Sequence, residues 1–271
     1  MNKILARVLF YIGISLYAAL LVLPLLTMLS VSFRSDGDVY NPSFFPPNPT
    51  LEPYQIALEK FPVLRFLGNS FLVSSLVTLG VMLISSCTGY ALARINSPVS
   101  NFIFALVIGL LLVPGEVTFL PLYIMINRLG WIDSYLALTL PFIASPIGIF
   151  LMRQFFKSLP QELFDAARMD GAGHLRMLWH IAMPLATPAL GALAALTFLG
   201  TWNMYLYPLV VTNSEELRTA QIALRFISSD EAVRYNIVAA AAVIILLPTL
   251  VAFLFAQRAF VRGIAMGSLK G

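Results

Sequence analysis

Charge is scarce in this chain: 11% of its 271 residues are Asp, Glu, Lys or Arg, against about 25% in soluble domains. A soluble fold of this length needs far more polar surface, so that class is excluded. Cysteine is nearly absent as well. The single one, Cys87, rules out an internal disulfide and a cysteine-based metal cluster. It stands among Ser85, Ser86 and Gly89 and reads as a small packing residue. The two histidines, His174 and His180, are six apart and miss the i, i+4 spacing of a helical zinc site. No G-x-x-x-x-G-K-(S/T) cradle occurs, so P-loop binding of ATP is excluded. The net charge of +4 forms no clustered basic patch of the kind that binds nucleic acid. Period-2 alternation of an outer-membrane barrel is missing, as is the three-plus-three helix repeat of many secondary transporters.

What the chain has instead is apolar length. Val8–Phe33, Phe71–Ala93, Ser134–Met152, Met177–Ser214 and Ile237–Ala256 contain no charged residue. Phe102–Ile126 is interrupted by Glu116 alone. Each is near or above the roughly 20 residues that cross a hydrocarbon core as helix. Backbone in lipid must satisfy its own hydrogen bonds, so these segments are expected to be helical. The expectation is an all-α membrane protein of six spans, at about 8–33, 67–93, 102–127, 134–156, 184–211 and 237–257. The first run is too long for a signal peptide core of about 7–15 residues and reads as a retained anchor.

Six spans put both termini on one side. With residues 1–7, 94–101, 153–183 and 257–271 inside, the cytoplasmic parts hold a modest excess of the 17 Lys and Arg, which favours that orientation. Outside lie two loops. Residues 34–66 carry Pro42, Pro46, Pro47, Pro49 and Pro53, too dense for a regular helix before about Glu52. Residues 213–235 are polar, with Glu215, Glu216, Arg218, Asp230, Glu231 and Arg234.

One polar stretch lies between the long apolar runs: Asp165–Pro184, DAARMDGAGHLRMLWHIAMP. Ser158 and Gln161 form a capping-box pattern with Pro160 in the first turn, so a helix is expected from about Leu159 to Met169. Asp170, Gly171 and Gly173 break it. A second helix from about His174 places Leu175, Leu178, Trp179 and Ala182 on one face, and Pro184 limits its continuation. Composition alone leaves two readings open, a docking element or a loop lying on the membrane. A membrane-surface helix is normally rich in Lys and Arg; this one mixes Glu162, Asp165 and Asp170 with Arg168 and Arg176.

Asp165-Ala166-Ala167, three residues, Gly171, nine residues, then Ile181-Ala182-Met183-Pro184 closely resembles the coupling ("EAA") loop of ABC-importer permeases. Asp165 stands for the family glutamate and Met183 for its leucine. The run FPPNPTLEPY at 45–54, the W-N-x-Y-L-Y-P element at Trp202–Pro208, and the closing Gln257–Gly263 with Lys270-Gly271 are similar to the second permease of carbohydrate importers of the maltose and glycerol-phosphate kinds. The resemblance covers about the whole chain, 1–271, as one type I importer transmembrane domain. It implies that Asp165, Ala166, Ala167, Gly171, Ile181 and Pro184 sit in a cleft of a separate ATPase, which binds Mg-ATP. It implies further partners: a homologous permease, two copies of the ATPase and an extracytoplasmic solute-binding protein, in a bacterial or archaeal membrane. The expected substrate is a sugar or sugar-like solute.

Two groups are candidates for the substrate path. Glu116, beside Pro114 and Gly115, costs at least about 2.5–3.5 kcal/mol at a bilayer centre and should face protein or water. It reads as path-lining, as a structural carboxylate paired with a neighbouring helix, or as a group close to the outer interface. Trp202, Asn203 and Tyr205 combine aromatic faces that stack on sugar rings with an amide that pairs with hydroxyls. The other reading is an interfacial aromatic belt. Gly191, Gly200, Ala194 and Ala195 are expected to serve close helix packing. Outside the permease reading stand two alternatives, an ion-coupled secondary transporter and a non-transporting scaffold.

Overall fold

The computed structural model describes residues 3–229 and 234–268, with side-chain surroundings for these as far as Leu254, Lys3 and Ala6 apart. Helices and turns make up the described residues, with no strand among them. Four helical segments are long and apolar enough to cross a membrane: Arg7–Ser32, Val63–Arg94, Tyr135–Ser158 and Tyr235–Leu254. Two further pairs are bent, so the number reaches six if each bent pair is one span. The chain divides into two compact units, residues 1–65 with 223–247, and 66–222 with 248–271.

In the first unit, α1 (Lys3–Ser32) runs 30 residues and stays exposed along its apolar length. The chain then folds back through the proline run. Arg34, buried at 5% exposure, donates to the carbonyls of Asn41 and Ser43 and to Ser30 Oγ at 3.3 Å. One guanidinium fork thereby substitutes for the backbone ladder that proline forbids. The Thr50 amide reaches the Phe33 carbonyl at 2.8 Å, and α2 (Glu52–Lys60) starts with Pro53 in its first turn, where a missing N–H costs nothing. Asn236 donates to the Arg34 carbonyl at 2.9 Å, and Arg234 pairs with Asp36.

The second unit is built on α3 (Val63–Arg94). After it, Ser97 caps α4 (Pro98–Leu111) by accepting from the Ser100 amide, with Pro98 in the first turn where its missing N–H costs nothing. Pro114 then bars continuation. There α4 and α5 (Gly115–Arg128) meet at 102°. Next come α6 (Tyr135–Thr139) and α7 (Pro146–Ser158), capped by Ser134 and Ser145. The polar stretch forms α8 (Gln161–Met169), α9 (His174–Met177), a π-helical turn Leu178–Ala182 and α10 (Met183–Leu185). A 79° bend leads into α11 (Thr187–Trp202), followed by α12 (Leu206–Val211). Then follow α13 (Ala220–Ser229), which runs from this unit into the first, and α14 (Tyr235–Ser268), which runs from the first back into this one. A core runs from Val73, Val77 and Val81 through Met152 and Phe156 to Met177, Ala182 and Leu193. The side chains of Gln257–Gly263, and all of Lys270-Gly271, lie outside the described residues.

Three glycines outside the group named from sequence are closely packed. A Cβ on Gly80 meets Ile143 at 2.6 Å, one on Gly148 meets Ser85 Oγ, and one on Gly89 meets the backbone nitrogen of Arg153 at 2.8 Å. Gly200, by contrast, has nothing within 4 Å. Helix contact is set by where glycines oppose a neighbour, which composition within one helix does not reveal. Cys87 is exposed, on the side of α3 away from the packed Ser85 and Ser86. These observations predict opposite responses to two glycine substitutions. Gly89→Ala presses on backbone and costs about 1–3 kcal/mol as an overpacked site. Gly68→Ala, with nothing within 4 Å, gains up to about 1 kcal/mol of helix propensity. Thermal unfolding in detergent checks this as midpoint shifts of opposite sign.

Candidate functional site

The polar stretch closes as a tight hairpin. At the end of α8 the Ala172 amide bonds the Ala167 carbonyl at 2.9 Å and the Gly171 amide bonds the Arg168 carbonyl at 3.0 Å. That pair is a Schellman closure, which needs a left-handed residue one past the cap. Gly171 supplies it at φ +75°. The start of α8 differs from the capping-box expectation. Pro160 is the cap residue, without a side-chain bond, and Ser158 Oγ turns back to the Phe155 carbonyl at 2.7 Å. Ser158 still belongs to α7, so its hydroxyl satisfies that helix's end instead.

Gln161 is used differently. Its amide nitrogen donates to Asp165 Oδ1 at 3.0 Å and its Oε1 accepts from Arg94 at 2.7 Å. Asp165 also pairs with Arg168 at 3.4 Å, an exposed pair of little energetic weight. Asp165 and Ala166 are exposed, while Ala167 packs on the core. Phe164 is the anchor of α8, 1% exposed beneath the Arg94 guanidinium, which sits 3.9 Å from its ring centroid.

Beyond Gly171, the buried stripe is Met177, Leu178 and Ala182, with Ile181 half-buried. Leu175 and Trp179, expected on the same face, are 73% and 45% exposed. The π turn at 178–182 widens the helix and shifts the face. Pro184, exposed near its end, has no N–H to continue an α-ladder. His174 lies edge-on to Tyr90 at 6.3 Å, and His180 Nδ1 is 3.2 Å from the Arg176 carbonyl. No group of residues able to hold a metal ion occurs among the described residues.

The path candidates separate. Glu116 is exposed in the first turn of α5, beside the bend, where a carboxylate complements the helix dipole. Trp202 is buried at 2% exposure and stacks on Phe198 at 5.8 Å. Asn203 caps α11 by donating to the Leu199 carbonyl at 2.9 Å and accepts from Gln221 at 3.2 Å. Tyr205 is half-buried. None of the four lines the cavity of about 220 Å³ bounded by Val77, Phe142, Ser145, Thr197, Gly200 and Thr201.

A second polar cluster escaped the sequence reading. Asp133, at φ +62°, accepts on Oδ1 from the Asn213 and Ser214 amides, both at 3.0 Å, and from Ser214 Oγ at 2.9 Å. Asn69 donates to the carbonyls of Glu216 and Arg218 at 2.6 and 2.9 Å and accepts from Tyr135 at 2.7 Å. Ser70 Oγ accepts from the Ala220 amide at 2.8 Å. The loop at 213–220 is thus pinned along its length. The signal available in sequence was an aspartate after Trp131-Ile132, a residue type that tolerates the left-handed region.

These features define a class: a multi-pass helical membrane protein carrying a closed polar hairpin between its apolar helices. The chain belongs to the family of binding-protein-dependent transport system inner membrane components, whose pattern matches residues 84–266. It is 36% identical, over 96% of this chain and 95% of the relative, to the arabinooligosaccharides transport system permease protein AraQ of Halalkalibacterium halodurans. It is 40% identical, over 73% of this chain and 71% of the relative, to the sn-glycerol-3-phosphate transport system permease protein UgpE of Yersinia enterocolitica. The fold is shared with a chain in the crystal structure of a bacterial ABC transporter involved in the import of the acidic polysaccharide alginate. The TM-score is 0.87 at 21% identity, over 95% of this chain and 97% of that one.

Hydrogen bonds from Ser214, backbone first and then hydroxyl, with the Asn213 amide, hold the Asp133 carboxyl below the usual carboxylate range against some burial. A depressed folded value stabilises above the unfolded pKa of about 3.9, and that stability is lost as pH falls through the folded value. Hydrogen exchange at Asn213 and Ser214 is therefore expected to accelerate on acidification below about pH 4. Asp133→Asn keeps the left-handed backbone and an acceptor but removes this pH dependence. Exchange that stays pH-independent in the wild type, after correction for intrinsic rates, contradicts the assignment.

Proposed function

We propose that this chain is one permease subunit of an ATP-driven, binding-protein-dependent importer for a sugar or sugar-like solute. Both termini lie in the cytoplasm, and so does the hairpin of residues 161–185. A homologous permease supplies the other half of the path. Two copies of an ATPase bind Mg-ATP and grip the hairpin. A loaded solute-binding protein engages the outer loops, including the pinned segment 213–220.

The observation that carries this reading is the hairpin's two-sidedness. Phe164, Met177 and Leu178 bury its underside, while Leu163, Met169, Leu175 and Trp179 stand 42%, 89%, 73% and 45% exposed around a polar turn. Apolar groups presented in a polar rim mark a protein or membrane contact, and the mixed charge of Glu162, Asp165 and Asp170 with Arg168 and Arg176 favours protein over a lipid surface. The Schellman closure at Gly171 gives that surface one fixed shape, and Asp165, Ala166 and Ala167 offer a carboxylate beside small residues that admit a partner backbone. Family membership supports the same assignment. Closure of the ATPases then drags the hairpin, the spans tilt, and the path faces outward; hydrolysis resets it.

The substrate class rests on the relatives, which carry arabino-oligosaccharides and glycerol phosphate by name. Trp202, Asn203, Tyr205 and Glu116 remain the proposed contributors to the path. The cavity beside Thr197 and Thr201 offers hydroxyls and an apolar wall of the kind a sugar ring meets. Ion-coupled transport gains no support, since Glu116 stands alone as an acidic residue within the apolar segments.

Gly171→Pro cannot adopt φ +75°, because proline fixes φ near −65°. It is expected to abolish uptake by the intact importer while membrane insertion persists, and Asp165→Lys to reduce uptake several-fold. A cysteine at Met169 is expected to crosslink to the ATPase subunit in membranes. Wild-type uptake by both variants, or a Met169→Cys protein that reacts only with reagents added from outside, defeats the proposal.

A further inference from the structure

Arg94 ends α3, and its side chain holds three places at once. One terminal nitrogen donates to the carbonyls of Phe156 and Leu159 at 2.6 and 2.9 Å, and the other reaches Gln161 at 2.7 Å. The first carbonyl belongs to the last turn of α7, where helices leave acceptors unsatisfied and partly negative. The second lies in the corner between α7 and α8, and Gln161 opens α8. Beneath the guanidinium lies the Phe164 ring. One turn back along α3, Tyr90 packs against Phe156, Phe164 and His174 at 5.9, 6.2 and 6.3 Å. Arg153 adds a return contact from α7, its Nε donating to the Leu92 carbonyl at 3.2 Å.

We propose that Arg94 is the positioning residue that makes the hairpin and α3 move as one body. The inference rests on the coupling role proposed for the hairpin and names where its displacement enters the spans. A hinge between α7 and α8 is otherwise expected, because Leu159 adopts extended backbone there and Pro160 has no N–H to continue a helical ladder. The fork of Arg94 crosses that corner on both sides and stiffens it. Lysine, a point donor on a flexible stem, cannot bridge the same acceptors. Through Gln161 the joint also reaches Asp165 Oδ1, so the exposed carboxylate is oriented from α3.

The test uses the complete importer in lipid vesicles, in a Cys87→Ser background, with spin labels at Glu162 and at Leu83, exposed sites on α8 and α3 that lie apart from the proposed ATPase contact. In the wild type their separation is expected to be the same in nucleotide-free and ATP-trapped states. In Arg94→Ala it is expected to differ between states and broaden, and solute moved per ATP hydrolysed to fall several-fold. Arg94→Lys, which keeps charge and stem, supplies the same comparison should the alanine variant not assemble. Wild-type separations and wild-type transport per ATP in the variant that assembles overturn the proposal, as does a wild-type separation that changes on trapping. Crosslinking of Met169→Cys to the ATPase is read in parallel. Its loss in the wild type condemns the coupling role itself, whereas its persistence beside unchanged Arg94 variants condemns the joint alone.

Discussion

A peptide group placed in hydrocarbon has no water to turn to, so its hydrogen bond must be closed within its own helix or by a side chain brought to it. Departures from regular helix among the described residues close their backbone groups in a few recurring ways. At Pro114 the ladder stops and the next helix sets off at 102°. At Ser145 and Ser134 hydroxyls accept from the new helix's own amides. At 178–182 a π turn precedes Pro184, whose ring nitrogen cannot donate. The proline run after α1 is closed by a single arginine, Arg34, acting on successive carbonyls.

The same demand explains where function can be carried. A hairpin projecting from apolar helices keeps one shape only if its turn is self-satisfied and its base is held. The Schellman closure supplies the first condition; Phe164, Met177 and the contacts of α3 supply the second. What is left outward is a surface of Asp165, Ala166, Met169 and Leu175 on a rigid mount. The loop at 213–220 follows a parallel scheme, with Asp133 and Asn69 taking the place of Arg94. In both, an irregular segment is fixed by side chains far off in sequence.

Local chemistry was legible and long-range chemistry was not. The helical class follows from the uncharged runs, and the break at Gly171 follows from two glycines beside an aspartate. The start of α2 at Glu52 follows from the gap after Pro49, with Pro53 tolerated in the first turn. By contrast, the partners of Arg94 lie 62 to 67 residues away and those of Asp133 80 or more. No periodicity encodes such pairs. In an apolar helix the 3.6-residue pattern is also faint, because lipid-facing and buried positions carry the same residue types. Hence the exposure of Cys87, and the close approaches at Gly80, Gly89 and Gly148 but not at Gly200, are set by neighbours that the sequence of one helix does not name. For Trp202 and Asn203 the sequence names the residue types but not their surroundings, a buried ring stacked on Phe198 and an exposed amide that closes the end of α11.

Arg94 and Asn69 reach for main-chain carbonyls, and Asp133 is met mostly by main-chain amides. Such fastenings are blind to the identity of the residues they fasten. Side chains at the tips can therefore drift, and a descendant can acquire a new docking partner or a new cargo while inheriting the old mechanics unchanged. Mechanics and recognition are thereby written in separate parts of the same chain, which lets one framework diversify without being rebuilt.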